Sequence, residues 1–539
     1  MNKRLLFGIF VLAVVGGTAL STIGQAKHSS KVLLIPLDDR PPCLQFTVKM
    51  GLIGDADVVT PPREMLGRFT VAGRPDEIIA WIRKQNLKTY DAAIVSMDMI
   101  AYGGLVASRV HDSSLDQALK RIVIVREIRR LSPKLKIYGS SVIMRLAPTA
   151  DGKNEAYREK LAKWAEVSPD KNEEKLTKSL ESEIPAEALQ NYKTARDRNL
   201  KINLGSVDLV RDGIFDYLIL SQDDAKPRGV HVRDRETLID YVNRNSLSEK
   251  VAIQPGADEV SMLLLARSLT TKYNYHPKIK AIYSSDEIAD KFMPYEDRPL
   301  RKTVSFHIRA VGATEVSDES QAELLFYVFV SRFEKDRAKA FADDIADKVK
   351  ANKRVLVADI DVKGEIQGGD ESFTESLLGE KVFNRLYSYA AWNTAGNTIG
   401  TTLPQGVVFQ TIINRNSGSK DQKNRPDASL RRTRKAQDWF MVNRLLDDYA
   451  YHSLVRPRAL QFIRESKWNA FRLDDDQTRK VTGFCVDLLN PVALEISQKY
   501  FETTTCSPAV NFALPWNRTF EAEIDFTDPC PGYVPGSKK

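Results

Sequence analysis

The stretch VLLIPLDDRP (residues 32–41) is a short apolar run that ends on two carboxylates, and it decides which fold the sequence predicts. Three further runs end in the same way: DAAIVSMDM (91–99), DYLILSQDDAKP (216–227) and VAIQPGADEV (251–260). Such runs are typical of buried parallel strands, whose carboxyl ends share one edge and carry the active sites of α/β proteins. We therefore expect an acid-rich edge, named here the carboxylate rim. Its members are Asp38, Asp39, Asp98, Asp223, Asp224, Asp258 and Glu259.

Strand and helix signals alternate from Lys31 to about residue 290. The predicted strands are 32–37, 56–60, 91–97, 136–144, 215–221, 251–254 and 279–284. Seven strands separated by helical stretches favour an α/β fold of the (β/α)8-like barrel type, complete or lacking a strand, over a short doubly wound sheet. No G-x-G-x-x-G follows the first strand, which argues against dinucleotide binding.

The remaining chain divides into segments of different composition. A charged, helical insertion is expected at 151–212, either as a lid or substrate wall or as a solvated decoration. A smaller α/β domain is predicted at 296–410, with TVSFHIRAVGA, AELLFYVFV, KRVLVADID and LYSYAAWNTAGNTIG as its strands. The predicted segments are a signal peptide (1–26), the barrel-like domain (30–295), the second domain (296–410), a loop and helical segment (411–480) and a short-stranded, β-rich, Cys-containing segment (481–539).

The amino terminus has the pattern of an export signal. Lys3 and Arg4 precede an apolar stretch, and small residues precede a cleavage position after Ala26. The alternative is an uncleaved anchor, although the stretch is short for a bilayer. A secreted or cell-surface protein with no stable membrane span after cleavage is therefore predicted.

Cysteine usage agrees with an oxidising compartment. The four cysteines are even in number, and three of them lie in the last 55 residues, which predicts a stapled C-terminal segment. Three pairings are open, and Cys43 is alternatively a free buried thiol.

The sequence carries 79 basic and 71 acidic residues, an excess of +8 spread along the chain, which does not indicate nucleic acid. A carbohydrate or cell-wall glycan is the expected partner, and the sequence leaves the oligomeric state open.

The QDDA segment at 222–225 is the strongest local signal for catalysis. Crowding between adjacent carboxylates raises one pKa and leaves the other group ionised, which provides one proton donor and one stabilising anion. Glycosidic hydrolysis needs two such groups. We expect Asp224 to be the acid and Asp223 its orienting partner. The segment resembles the paired acids of substrate-assisted N-acetylhexosaminidases, and the alternative is that one Asp caps the next helix.

Further rim residues are predicted to bind the substrate. Arg40, beside Asp38 and Asp39, either binds a substrate carboxylate or phosphate or neutralises Asp38. Asp98 ends the third run, and Tyr102 before a Gly pair is expected to stack on a sugar, with an ordinary strand-to-helix turn as the alternative. Arg145 either binds an anionic substrate group or balances the carboxylates.

The segment WNTAGNTIG (392–400) is expected to bring a second set of ligand contacts. Asn393 and Asn397 offer hydrogen bonds to sugar hydroxyls, and Trp392 offers a stacking surface. The alternative is a tight turn whose side chains cap a helix.

The sequence predicts no cofactor and no metal. A carboxylate rim would suit Mg²⁺ or Ca²⁺, but no D-x-D-x-D-G loop occurs and no two of the six histidines are spaced as zinc ligands. The sequence contains neither a G-x-S-x-G elbow nor a P-loop.

Several motifs together resemble a bacterial protein family of unknown function. They are LDDRP, SMDM-AYGGL-ASR, YEDRP, WNTAGNT, RLLDDYAY with VRP, and PWNRTFE. The resemblance covers nearly the whole mature chain and implies no activity. One departure is GEIQGGDES after VLVADID, where an Asn-Gly-Ala-Asp-like run is expected, and this puts a role for Asp370 in doubt.

Three hypotheses follow from the sequence. The first is an exported glycoside hydrolase-like enzyme that acts on a glycan containing amino sugars. The second is an exported protein that binds a glycan or metabolite without catalysis. The third is a Mg²⁺-dependent enzyme.

Overall fold

A computed structural model describes residues 28–360, 367–417, 426–503, 506, 508–527 and 530. The predicted signal peptide lies outside the described residues. In the part of the chain that is described, no helix is long and apolar enough to span a bilayer.

Six strands form the first sheet, and all of its pairs are parallel. They are β1 (Ser30–Ile35), β2 (Ala56–Val59), β3 (Ala92–Ser96), β4 (Lys136–Ile143), β5 (Tyr217–Gln222) and β6 (Val251–Pro255). The strand order is β2-β1-β3-β4-β5-β6, with β2 and β6 at the edges of an open sheet. The α/β class is therefore confirmed, but the predicted (β/α)8-like barrel is wrong. Barrels and doubly wound sheets share the same alternation of strand and helix, and the strand order that separates them leaves no local pattern.

Helices cover both faces of this sheet. Along β1, Val32 and Leu34 belong to one hydrophobic cluster, whereas Leu33 and Ile35 belong to another. Burial on both faces explains why the strands are continuous apolar runs rather than alternating ones. The helices of this half are α1 (Gln45–Ile53), α2 (Pro75–Arg83), α3 (Met97–Tyr102), α4 (Leu105–Ser108), α5 (Leu115–Ile122), α6 (Ile124–Leu131), α7 (Arg158–Val167), α8 (Glu174–Glu183), α9 (Ala186–Arg211), α10 (Val230–Arg244) and α11 (Val260–Tyr273). The predicted insertion at 151–212 contains α7, α8 and α9.

Five parallel strands form the second sheet. They are β7 (Lys278–Tyr283), β8 (Thr314–Glu315), β9 (Leu324–Phe329), β10 (Val355–Asp359) and β11 (Ser388–Ala390), in the order β11-β10-β9-β7-β8. The strand expected to be the seventh of a barrel is thus β7 of this sheet. The division between the sheets falls between Pro255 and Lys278, and not near residue 295.

Two segments predicted as strands are helical. TVSFHIRAVGA lies largely in α13 (Leu300–Ala310), because its buried side chains Val304 and Ile308 recur with helical spacing. The segment from about residue 480, predicted as short strands, begins inside α20 (Asp475–Phe501), which starts with a capping box formed by Asp474 and Gln477. The other helices of this half are α12 (Asp286–Asp290), α14 (Ser331–Glu334), α15 (Ala338–Lys350), α16 (Glu371–Gly379), α17 (Ala395–Ser417), α18 (Pro426–Arg444) and α19 (Arg456–Glu465).

A π-helical segment, Leu445–Val455, joins α18 directly to α19. After α20, the antiparallel pair β12 (Val510–Ala513) and β13 (Glu523–Phe526) forms a small sheet. A disulfide between Cys506 and Cys530 brackets this pair, while Cys43 and Cys485 are buried free thiols. The C-terminal segment is therefore cross-linked by a disulfide, as predicted.

The two sheets meet through the close packing of α11 and α17. A Cβ atom on Gly400 of α17 would lie 2.0 Å from Cγ of Glu259, so only glycine permits this approach. A Cβ atom on Gly396 would lie 3.1 Å from the Gly256 backbone. The start of α17 is consequently held beside the loop that follows β6, where the carboxylate rim continues.

Candidate functional site

The carboxylate rim lies at the carboxyl ends of β1, β3, β5 and β6. In doubly wound sheets a crevice forms where the strand order reverses, which here is between β1 and β3. The LDDRP loop follows β1, and Ser96 ends β3 just before Asp98. The topology thus places these two motifs at the expected ligand position.

Arg40 is a buried guanidinium that joins a carboxylate of its own loop to two carboxylates from distant parts of the chain. Its Nη2 lies 2.7 Å from Oδ2 of Asp38 and 2.6 Å from Oδ1 of Asp258, and its Nη1 lies 3.3 Å from Oε1 of Glu521. Although burial lowers it, the charges of Asp258 and Asp38 hold the pKa of Arg40 well above its usual value. Of the two roles predicted for Arg40, the ion pair with Asp38 is the one observed.

Arg40 and its three carboxylates, named here the Arg40 cluster, also affect the pKa of Asp258. Burial, with a contribution from the charge of Asp38, raises the pKa of Asp258 to about 7 against the opposing effect of Arg40. The Asp258 side chain is only 9% exposed. Each member of the cluster therefore depends on the others for charge compensation.

The C-terminal segment covers the LDDRP loop, a contact that we did not predict from the sequence. Trp516 Nε1 donates a 2.6 Å hydrogen bond to Oδ1 of Asp39, and the guanidinium of Arg40 lies 4.6 Å from the Trp516 ring. Arg63 bridges Asp39 and Glu523 of β13. The motif PWNRTFE was visible in the sequence, but no local pattern indicated which loop it would contact.

Asp223 is held by Arg109 at the end of β5. Arg109 Nη2 and Nε lie 2.6 and 3.1 Å from Oδ2 of Asp223, and Oδ1 accepts a hydrogen bond from the Asp224 backbone N–H at 2.9 Å. Although burial raises it, the charge of Arg109 holds the pKa of Asp223 below its usual value. We did not predict a role for Arg109, although it ends the ASR part of a motif that we identified.

Asp224 is the accessible carboxylate of the rim. Its Oδ2 lies 2.6 Å from Nη1 of Arg145, and its side chain is 39% exposed. The part of the group that neighbouring atoms cover loses contact with water, so this burial, together with the charge of Asp223, raises its pKa above the usual value despite Arg145. We name the group of charged residues around this carboxylate the Asp224 recess. The residues that define it are Arg109, Arg145, Arg158, Asp223 and Asp224.

Asp98, a member of the rim, and the nearby Tyr102 are both buried. Asp98 is 1% exposed, its Oδ2 accepts a hydrogen bond from Val142 N–H at 2.9 Å, and burial raises its pKa to about 7. Tyr102 is 3% exposed, with the Arg198 guanidinium 4.0 Å from its ring. The prediction of a sugar-stacking Tyr102 is wrong, because the ring face is covered by the protein's own arginine.

The Gly pair after Tyr102 serves a contact within the chain. Gly103 and Gly104 have φ values of 94° and 121°. A Cβ atom on Gly103 would lie 2.8 Å from the backbone of Gly73. The close approach that these glycines permit is therefore made to Gly73, within the chain.

The WNTAGNT loop is mainly structural. Trp392 is 3% exposed, donates to Thr401 Oγ1 at 3.1 Å and packs edge-on against Phe46, so it cannot offer the predicted stacking face. Asn397 Oδ1 accepts a hydrogen bond from the Asp258 backbone N–H at 3.3 Å, which ties the second sheet to the rim. Asn393 Oδ1 accepts from Thr394 N–H at 2.6 Å. Both Asn residues are buried by these contacts within the chain.

A second buried network lies on the π-helical segment. Arg444 donates to Asp448 Oδ1 at 2.7 Å and to Asp447 Oδ2 at 3.0 Å. Asp448 Oδ2 accepts from Ala391 N–H at 2.7 Å, at the end of β11. Burial raises the pKa of Asp447 to about 6, and the charge of Glu521 adds to this effect, so the network adjoins the Arg40 cluster. Extended π-helices are rare and often occur at functional sites.

Within the described ranges, no three His, Cys, Asp or Glu side chains are grouped so as to hold a metal ion. The Arg40 guanidinium lies between Asp38 and Asp258, where a cation would otherwise sit.

A cavity of about 640 Å³ opens away from the rim, beside α16 and Ser453 of the π-helical segment. Asp370 lines it, but its Oδ1 accepts from Phe373 N–H at 2.9 Å and caps α16. The questioned role of Asp370 is thus a helix cap.

The fold and the site define an open, parallel α/β protein whose first sheet ends in a buried network of carboxylates and arginines. The chain belongs to the family described as a protein of unknown function (DUF4127), whose model matches residues 32–525. The predicted membership in a family of unknown function is confirmed. No curated protein matches the chain.

Proposed function

We propose that the protein is an exported hydrolase of glycosidic bonds in which Asp224 donates the proton to the leaving oxygen. The observation that carries the proposal is the contrast between two neighbouring carboxyl groups. Asp224 is accessible and has a raised pKa, whereas Asp223 is bound to Arg109 and has a lowered pKa. General acid catalysis and charge stabilisation require this division between two groups.

The proposed chemistry uses the two carboxyl groups for different steps. Protonated Asp224 transfers its proton to the glycosidic oxygen as the bond to the sugar breaks. Ionised Asp223, fixed by Arg109, stabilises the positive charge that develops on the sugar or orients a substrate acetamido group. Water then completes the hydrolysis, and Asp224 regains a proton.

The other rim residues support the site in this proposal. Asp38, Asp39, Arg40 and Asp258 are buried and bound to one another or to the C-terminal segment, so we assign them to positioning rather than to substrate contact. The export-type amino terminus and the disulfide between Cys506 and Cys530 support an oxidising compartment.

A second candidate, a binding protein without catalysis, is favoured by one observation. Asp38, Asp258, Asp223 and Asp224 each lie within 2.7 Å of an arginine nitrogen. Such complete pairing is typical of a recognition site whose charges are already satisfied.

Product analysis distinguishes the two candidates. The protein is incubated with a panel of aryl-glycosides, including N-acetylhexosaminides and uronides, and with solubilised cell-wall glycan, and the mixtures are separated by chromatography. We expect release of aglycone or new reducing ends from at least one substrate. A ligand that raises the melting temperature but is recovered intact would favour the binding protein. Activity that EDTA abolishes and Mg²⁺ restores would favour a metal-dependent enzyme.

A further inference from the structure

Three guanidinium groups converge on one short loop of the Asp224 recess. Arg145 Nη2 and Arg158 Nε donate to the same carbonyl oxygen, that of Pro148, at 3.3 and 3.1 Å. Arg109 Nη1 donates to Oγ1 of the adjacent Thr149 at 2.9 Å. Two like charges therefore share one acceptor, an arrangement that costs electrostatic free energy unless nearby negative charge balances both of them.

The recess holds more positive than negative charge. Arg109 is paired with Asp223 and Arg145 with Asp224. Arg158 forms no ion pair with any residue that the structure describes, so three positive charges face two negative ones. Burial and the nearby charge of Arg145 lower the pKa of Arg158, against the weaker effects of Glu159 and Asp224. The uncompensated charge thus lies beside the accessible carboxylate.

We propose that Arg158, with Arg145, binds a carboxylate or phosphate group of the ligand, so that the substrate is an acidic glycan. A planar guanidinium binds either anion through two parallel hydrogen bonds, and the bound charge would relieve the repulsion between the two arginines. This inference rests on the proposed function, because it names the substrate class of the same recess. Arg158 begins α7, so the helical insertion forms a wall of the site.

Thermal-shift titration with matched probes tests the inference without requiring turnover. The probes are D-glucuronate, inorganic phosphate and neutral D-glucose, each at the same ionic strength. At least one of the two anions should raise the melting temperature of the wild type by about 2 °C or more, as ligand linkage predicts, and glucose should not. Glucuronate alone would indicate a sugar carboxylate, and phosphate alone would indicate a phosphorylated glycan.

Two substitutions at one position make the result specific. Arg158→Ala should require an anion concentration about tenfold higher for the same shift, because a charge-assisted hydrogen-bonding partner is lost. Arg158→Lys should restore part of the response. The control, Arg126→Ala, removes an exposed arginine paired with Asp212 outside the recess and should respond like the wild type.

The inference would be overturned if neither anion shifted the wild type, or if Arg158→Ala kept the full response. Its failure can be distinguished from failure of the proposed function. Anion binding without hydrolysis would leave the inference standing and remove the hydrolase, whereas hydrolysis of only neutral glycosides would do the reverse.

Discussion

Asp224→Asn should lower kcat by about 10²- to 10⁴-fold on any glycan that the wild type hydrolyses, the range that a positioned general acid contributes. Asparagine has nearly the same shape and leaves the recess filled, but it has no acidic proton to transfer. The measurement is the initial rate of product release at saturating substrate.

A matched control variant distinguishes the loss of the proton donor from the loss of a partly exposed ion pair. Asp212→Asn removes a carboxylate that is 32% exposed and paired with Arg126, away from the recess, and it should retain the wild-type rate. Circular dichroism spectra should be the same for both variants and the wild type. An Asp224→Asn enzyme that retained most of its kcat would exclude Asp224 as the proton donor.

Arg40→Met should lower the free energy of unfolding by about 3–5 kcal/mol, because it leaves buried carboxylates without their shared cation. Asp38, Asp258 and Glu521 all lose a hydrogen-bonded partner in this variant. The measurement is denaturant unfolding followed by tryptophan fluorescence, since Trp516 lies on the Arg40 guanidinium.

Two further variants test the cause of this loss. The double variant Arg40→Met, Asp258→Asn should recover part of the stability, because one uncompensated charge is removed. Arg126→Met, which breaks an exposed ion pair, should cost about 1 kcal/mol or less. If Arg40→Met unfolded at the wild-type denaturant concentration, the Arg40 cluster would not be a source of stability.

The strands that end on acidic residues were predictable, because both the apolar run and the acid that follows it are local features of the sequence. A continuous apolar run marks a strand buried on both faces, and the residue after it must lie at the carboxyl edge of a parallel sheet. Asp38, Asp223, Asp224 and Asp258 could therefore be assigned to one rim from the sequence alone.

Pairing with the carboxylates was among the roles expected for Arg40 and Arg145, but Arg109 and Glu521 were not predictable as partners, because they come from distant parts of the chain. Arg109 reaches Asp223 across 114 positions, and Glu521 reaches Arg40 across 481. The barrel prediction failed for a related reason. The structure places β7 in the second sheet, and nothing in the sequence pattern of this strand shows which sheet it joins.

The predicted stacking of Trp392 and Tyr102 on a sugar failed for a different reason. Trp392 and Tyr102 lie beside glycines and polar residues, a context that suits a ligand platform as well as a tight turn next to the core. Burial decides between these alternatives. The site is therefore richer in arginine and poorer in exposed aromatic rings than the sequence indicated.

The pH dependence of kcat/KM, measured for the wild type and for Asp224→Asn, tests the proton-donor role most directly. The raised pKa of Asp224 keeps this group protonated above the usual range of an aspartate, and the lowered pKa of Asp223 keeps that group ionised in acid. The wild-type rate should therefore be highest on the acidic side and fall as pH rises through the pKa of Asp224. This alkaline limb should be absent from the residual activity of Asp224→Asn, whereas the same limb in both proteins would contradict the assignment of Asp224 as the proton donor.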